Sequence, residues 1–111
     1  MLTITDKHRV FLAIKPIDFR TRLDGTVAAC RKLMQQDPTS GHIFVFRNKK
    51  ASTLRCIIYD NGGFWFMEKR LSKGHYLYWP KTSYDACELT NTQLQQLLSN
   101  QTTLTLTTEM T

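Results

Sequence analysis

A turn sequence in the middle of the chain, Asn61-Gly62-Gly63, constrains the fold more than any other feature. It separates two apolar runs, Leu54 to Asp60 and Phe64 to Arg70. Asn-Gly suits the two central positions of a type I′ turn, which joins antiparallel strands. The sequence therefore predicts a β-hairpin at this point.

The turn also predicts the register of the hairpin. The expected cross-strand pairs are Asp60 with Gly63, Tyr59 with Phe64, Ile57 with Phe66, and Arg55 with Glu68. Shifting the turn by one residue would place Ile57 against Glu68, so side-chain pairing favours the first register. Both faces of this hairpin are then apolar. One helix can cover only one of them, so the other must meet the C-terminal segment, another subunit or a ligand.

Periodicity predicts the remaining elements. Asp18 is a suitable N-cap for a main helix over residues 19–34, in which Gly25 indicates close packing or a local distortion. Thr90 is a suitable cap for a short helix over 90–98. Further strand-like runs cover residues 8–14, 43–47 and 75–79. We expect an α+β fold: an antiparallel meander of about five strands, with helix 19–34 on one face and helix 90–98 near the C-terminus. Residues 1–98 are predicted to form one domain, and residues 99–111 a flexible polar tail.

The charge of the chain is unevenly distributed. There are 15 Lys and Arg residues and 9 Asp and Glu residues, and all the basic ones precede residue 82. A positive surface gains affinity for phosphates through counterion release, which favours a nucleic acid or nucleoprotein partner. On a helical wheel Arg20 and Arg31 lie within about 20° of each other. The residues predicted to bind phosphates or a partner's carboxylates are Arg20, Arg31, Arg47, Lys49, Lys50, Lys69 and Arg70.

Several other classes of protein fit the sequence poorly. No apolar run approaches the roughly 20 residues that cross a bilayer, and the first residues lack a secretory layout. The cysteines at 30, 56 and 87 are odd in number, which suits free thiols in a reducing compartment. The three histidines are widely spaced and have no second ligand within three to five residues, so local spacing does not predict a zinc site. We expect a cytoplasmic protein with no membrane partner, no cofactor, no bound metal and no small-molecule substrate.

Two motifs suggest nucleic-acid chemistry but match it weakly. Asp60, Glu68 and Lys69 are the residue types of a metal-dependent nuclease, yet adjacent strand residues such as Glu68 and Lys69 point to opposite faces. Phe44 and Phe46 lie in a strand similar to one that stacks on RNA bases, although their alternation is more typical of a core. We therefore predict a protein that is not an enzyme.

A series of short motifs resembles one known family. In chain order they are Asp18-Phe-Arg20 with Asp24-Gly25, Asp37-Pro38 with Ser40-Gly41-His42-Ile-Phe44-Val45-Phe46-Arg47-Asn48, Tyr59-Asp60 with Gly62-Gly63-Phe64-Trp65, Lys69-Arg70-Leu71 with Gly74, and Trp79-Pro80. Over about residues 8–98, the chain resembles the small TnpB-type accessory proteins of the insertion-sequence-sixty-six family of bacterial transposons. These differ from the RNA-guided nucleases that share the TnpB name.

The resemblance implies a role in transposition beside a larger transposase, which would hold the catalytic carboxylates. We expect a non-catalytic accessory factor that contacts transposon DNA, the transposase, or both through a basic surface. The alternative is an interaction module that makes no contact with DNA. It would use an aromatic sheet face, including Trp65 and Trp79, to bind a partner or a second copy of itself.

Overall fold

The computed structural model describes residue 2 and residues 4–100. This part of the chain contains seven helices and strands. In chain order they are β1 Val10–Ala13, α1 Leu23–Met34, β2 Ile43–Arg47, β3 Thr53–Asp60, β4 Gly63–Arg70, β5 Ala86–Leu89 and α2 Asn91–Leu98. The five strands form one sheet in the order β4-β3-β2-β1-β5. The predicted α+β class is confirmed.

The central hairpin has the predicted register. Asp60 pairs with Gly63 and Arg55 pairs with Glu68, as the turn sequence requires. Asn61 and Gly62 both have positive φ, at 48° and 83°, which is the conformation of a type I′ turn. Together with β2, which is antiparallel to β3, the hairpin forms a three-strand meander.

The first strand departs from the predicted meander. β1 runs parallel to β2, with Val10 opposite Ile43. The expectation of an entirely antiparallel sheet is therefore wrong at this pair. The reason is that α1 returns the chain to the end of the sheet where β1 began, and a strand–helix–strand unit of this kind makes its strands parallel.

The fifth strand is not the one predicted. Residues 75–79 form no strand. Instead, Tyr76 is buried and donates its backbone N–H to the carbonyl of Ala51, and the Trp79 indole donates to the carbonyl of Ala13. Both bonds hold an irregular segment against the sheet. The outer strand beside β1 is β5, in which Glu88 pairs with Phe11.

The main helix starts later than predicted. It begins at Leu23, and Asp18 does not cap it: the Asp18 carboxylate accepts from the backbone N–H of Arg20, in a turn closed by the Thr21 N–H. The close packing expected at Gly25 is confirmed, because a Cβ there would lie 1.6 Å from Cγ2 of Thr21. The turn is thus packed tightly against the first turn of α1.

The short C-terminal helix follows the prediction. The Thr90 hydroxyl accepts from the backbone N–H of Gln93, and the Gln93 side chain accepts from the backbone N–H of Thr90. This reciprocal capping box fixes the start of α2. Leu94 and Leu97 are buried and face the sheet.

Each face of the sheet has its own core. On the face that we call the α1 face, Phe44, Phe46 and Ile57 pack against α1. On the other, the α2 face, Val45 and Ile58 lie under α2 and the segment before it, and further core members there are Leu12, Leu54, Tyr76, Leu94 and Leu97. The sequence left three possibilities for covering the second apolar face: the C-terminal segment, another subunit or a ligand. In the structure the C-terminal segment covers it.

The tail predicted over residues 99–111 lies outside the described residues from residue 101 onward. Within the described part, no helix is long and apolar enough to span a lipid bilayer.

Candidate nucleic-acid interface

A cleft of about 970 Å³ lies at one end of the sheet, between the turn that precedes α1 and the turn that joins β2 to β3. Three parts of the chain form its walls: residues 17–22, residues 48–53, and the facing ends of β3 and β4. Its lining includes six basic side chains and two acidic ones, which are Arg20, Arg22, Lys49, Lys50, Arg55, Arg70, Asp18 and Glu68. We call it the basic cleft.

The floor of the basic cleft is built on a buried arginine. Arg55 is only 1% exposed, although it lies in the middle of an apolar strand. Its Nε donates to Glu68 at 2.6 Å, and a terminal nitrogen lies 2.6 Å from the same carboxylate oxygen. The predicted Arg55–Glu68 ion pair is confirmed.

The remaining donors of Arg55 reach the turn before α1. Nη1 donates to the carbonyl of Thr21 at 2.7 Å and to the hydroxyl of Thr26 at 2.8 Å, and Nη2 donates to the carbonyl of Phe19 at 3.0 Å. The guanidinium also lies 3.9 Å from the centre of the Phe19 ring and 4.7 Å from that of Phe66. Because these contacts tie the turn and the helix to the sheet, Arg55 positions one wall of the cleft rather than binding a ligand itself.

The turn that Arg55 holds carries a second ion pair. Arg20 contacts Asp18 at 2.6 Å and lowers the pKa of that carboxyl to about 2 through hydrogen bonds from its side chain and its backbone. The charge of Lys49 lowers the same pKa, so Lys49 lies near this wall. The Arg20 side chain is nevertheless 91% exposed and remains accessible to an anion.

The opposite wall is a turn stiffened by Asn48. Its side-chain oxygen accepts from the backbone N–H groups of Ser52 and Thr53, and its amide donates to the Ser52 hydroxyl. Lys49 and Lys50 lie at the exposed tip of this turn. Neither lysine has an ion-pair partner among the described residues. Both positive charges are therefore free to meet a ligand.

Four of the seven predicted basic residues meet in the basic cleft. They are Arg20, Lys49, Lys50 and Arg70. Arg22 and Arg55 were missing from the predicted set. The signal for Arg55 was its position: a single cation inside an apolar run on a strand with neighbours on both sides must be buried and paired. For Arg22 no such signal exists, because its placement depends on where α1 begins.

The other three predicted residues lie elsewhere. Arg31 is in the last turn of α1, whereas the cleft lies beside the first. Arg31 and Arg20 do not share a face of one helix, as the helical wheel predicted, because Arg20 precedes α1. Lys69 lies on the α2 face, where its Nζ donates to the carbonyl of Leu98 at 2.6 Å and caps the C-terminus of α2.

Arg47 also lies on the α2 face. Its guanidinium donates to the carbonyls of Asn48 and Lys49 and lies 5.7 Å from the centre of the Trp79 ring. Its buried Nε has no hydrogen-bond partner among the described atoms, and burial lowers the pKa of this side chain. Arg47 therefore stabilises the turn and the α2 face rather than lining the cleft.

The two weaker motifs do not form sites of the proposed kinds. Phe44 and Phe46 are both 0% exposed, so their rings cannot stack on bases. Asp60 and Glu68 lie on opposite faces of the sheet: Asp60 accepts from the Trp65 indole, whereas Glu68 is paired with Arg55. Within the described residues, no three His, Cys, Asp or Glu side chains are grouped as metal ligands.

The cysteines are free thiols in the described structure. Cys30 and Cys56 are buried, and burial raises the pKa of each to about 12. Cys87 is half-buried, and its pKa is also raised by burial. Thiols with raised pKa values are poor nucleophiles, so the cysteines act as small core residues.

The fold and the cleft define a class: a small basic α+β protein whose exposed cations converge at one end of a sheet. Comparison with known proteins gives the family. A protein-family model described as "IS66 Orf2 like protein" matches residues 8–106 of the chain. The chain belongs to this family, as its sequence motifs predicted.

Two relatives come from Sinorhizobium fredii (strain NBRC 101917 / NGR234). The protein y4jC, described as uncharacterized, is 39% identical over 72 residues, which cover 65% of this chain and 62% of that protein. The chain thus matches less than two thirds of the length of y4jC. The protein y4hO, also described as uncharacterized, is 30% identical over 99 residues, which cover 89% of this chain and 85% of that protein. No solved structure matches the chain.

Proposed function

We propose that this IS66 Orf2-like protein is a non-catalytic accessory factor that contacts transposon DNA through the basic cleft, beside the transposase. The observation that carries the proposal is the convergence of Arg20, Arg22, Lys49, Lys50 and Arg70, from three separate segments, around one cleft. The two carboxylates in its lining are already paired with Arg20 and Arg55. The cleft therefore presents an excess of positive charge to a ligand.

The type of DNA contact follows from the side chains. Arginine and lysine on exposed turns neutralise phosphates and release counterions, which gives affinity without sequence information. None of the six cleft cations lies on a helix that could enter the major groove. Two of them precede α1, two lie in a strand connection and two lie on strands, which are respectively Arg20 and Arg22, Lys49 and Lys50, and Arg55 and Arg70. We expect binding that depends strongly on salt and weakly on base sequence.

Fluorescence anisotropy of the full chain with a labelled duplex, at several salt concentrations, tests this proposal. The expected result is a straight line when the logarithm of the binding constant is plotted against that of the salt concentration, with a slope of several units for about five phosphate contacts. Absence of binding at about 50 mM salt, or an affinity that salt does not change, contradicts direct DNA contact.

The second candidate function is binding to the transposase or another protein without DNA contact. The observation that favours it is the exposure of Trp65 and Met67, at 45% and 37%, on the sheet. Apolar residues at that exposure are typical of protein interfaces. A pull-down with purified transposase separates the two functions when it is repeated after nuclease treatment, because retention that survives the nuclease requires a direct protein contact.

A further inference from the structure

The outer edge of β4 is a long strand edge with no neighbour among the described residues. β4 has eight residues and ends the sheet on one side, whereas β5, at the other side, has four. Asp60 and Gly63 flank a two-residue turn and therefore exchange both backbone hydrogen bonds. By alternation, the backbone groups of Phe64, Phe66, Glu68 and Arg70 point to the open edge.

This edge is apolar over much of its length. Trp65 and Met67 lie two positions apart on the α2 face and are exposed on the sheet. Natural edge strands are usually shortened or bear charges that prevent pairing with another strand. On β4 the charged side chains are confined to its C-terminal end, at residues 68–70. Among the described residues, the first half of the edge is therefore open to another strand.

We propose that β4 pairs antiparallel with β4 of a second copy of this chain, about a twofold axis through Phe66. Because Trp65 and Met67 lie on either side of Phe66, this axis places Trp65 of each copy opposite Met67 of the other. Their positions are non-hydrogen-bonded ones, where facing side chains approach most closely. An indole against a thioether is a favourable contact. Because the axis is twofold, this contact forms twice, and Trp65 and Met67 of both copies are covered.

Charge complementarity favours the antiparallel direction. The C-terminal end of β4 carries Lys69 and Arg70, whereas Asp60 lies beside its N-terminal end. In the proposed register Lys69 of one copy lies opposite Gly63 of the other, which has no side chain, and Asp60 lies on the same face one strand beyond that Gly63. A parallel pairing would instead place the basic ends together.

The pairing has a geometric consequence for the basic cleft. A twofold axis perpendicular to the sheet keeps the α1 faces of both copies on the same side. The two basic clefts would then lie on one surface of a continuous ten-strand sheet. The pairing itself rests on the strand edge and does not require that the cleft bind DNA.

Sedimentation of the full chain up to about 100 µM tests the proposal, since an interface at the small end of the usual range predicts a micromolar dissociation constant. Met67→Lys is expected to weaken the dimer at least about tenfold, because it replaces the apolar contact with Trp65 and puts two like charges at diagonal positions across the axis. The matched control is Tyr84→Lys, at a residue that is 76% exposed and lies outside β4. It is expected to leave the dimer unchanged.

A charge exchange gives the positive result. Met67→Lys and Met67→Glu are each expected to form the dimer at least about tenfold more weakly than the wild type, and an equal mixture of the two is expected to recover the wild-type affinity. If Met67→Lys does not fold by circular dichroism, Trp65→Gln replaces it, with the same expected weakening. A wild-type chain that is monomeric at every concentration, or a dimer that Met67→Lys and Tyr84→Lys affect equally, overturns the proposal. Either result leaves the DNA titration unaffected, so the two proposals fail separately.

Discussion

The two faces of the sheet use their basic residues in opposite ways. On the α1 face, Arg55 is buried and satisfied by a carboxylate, two carbonyls and a hydroxyl, and the cations around it remain exposed. On the α2 face, Arg47 and Lys69 donate to main-chain carbonyls. The cations of the α2 face thus stabilise turns and a helix end.

The difference shows that a basic composition does not by itself define a binding surface. A cation that satisfies a carbonyl has lost most of its freedom to move toward a phosphate, whereas Lys49 and Lys50 have kept theirs. The turn on which they lie is rigid, because Asn48 bonds to Ser52 and Thr53. The basic cleft combines free charges with fixed walls.

Removing Arg55 is expected to have the largest effect on stability. Arg55→Met leaves the carbonyls of Phe19 and Thr21 without their donor and Glu68 without its counter-charge, which should cost about 3 kcal/mol of unfolding free energy. Urea denaturation measures this loss. Arg55→Lys is the matched control that keeps the charge but not the planar fork, and it should recover only part of it. A loss below about 1 kcal/mol would show that the network does not hold the wall in place.

Removing a cation from the α2 face should change the free energy of unfolding much less than removing Arg55. Lys69→Met removes the contact with the carbonyl of Leu98 at the exposed end of α2, which is expected to cost about 0.5 kcal/mol. The affinity for DNA should stay the same, since Lys69 is outside the basic cleft. Denaturation and anisotropy on one protein sample check both expectations. A marked loss of DNA affinity would mean that the α2 face also binds DNA.

The smallest effect is expected from acid. The pKa of Asp18 is about 2 in the folded chain, against an ordinary value of 3.8, because Arg20 donates to it. The ionised carboxylate therefore contributes stability above about pH 4 that is lost as the pH falls toward 2. Comparing denaturation of the wild type and Asp18→Ala across this range should show the difference between them shrinking. A difference that does not change with pH would contradict the ion pair.

Much of the fold could be predicted because local signals determine it. The turn at Asn61-Gly62 determined the hairpin register, and the Thr90 cap determined where α2 begins. The strand β5 was missed because Ala86–Leu89 is too short to show an alternating pattern. The aromatic run 75–79 has strand propensity, but its side chains cover the sheet as an irregular segment, which only the tertiary structure determines.

The candidate site was predictable only in part, because the position of a cation depends on long-range contacts. Lys49 and Lys50 belong to a connection whose location follows from the hairpin pattern, so their exposure could be expected. Arg20 and Arg31 were joined by assuming one helix, whereas contacts with Arg55 hold the residues before Leu23 in a turn. No local pattern contains that information.

The most direct test of DNA binding by the basic cleft compares two double variants that remove the same charge. Lys49→Gln with Lys50→Gln changes the basic cleft, and Arg31→Gln with Lys32→Gln changes the far end of α1, where both residues are exposed. If the basic cleft binds DNA, the salt slope of DNA binding falls by about 2 in the first variant, at about 0.9 per lost phosphate contact, and stays at the wild-type value in the second. Equal changes in both would show that only net charge matters, and would contradict a binding role for the basic cleft.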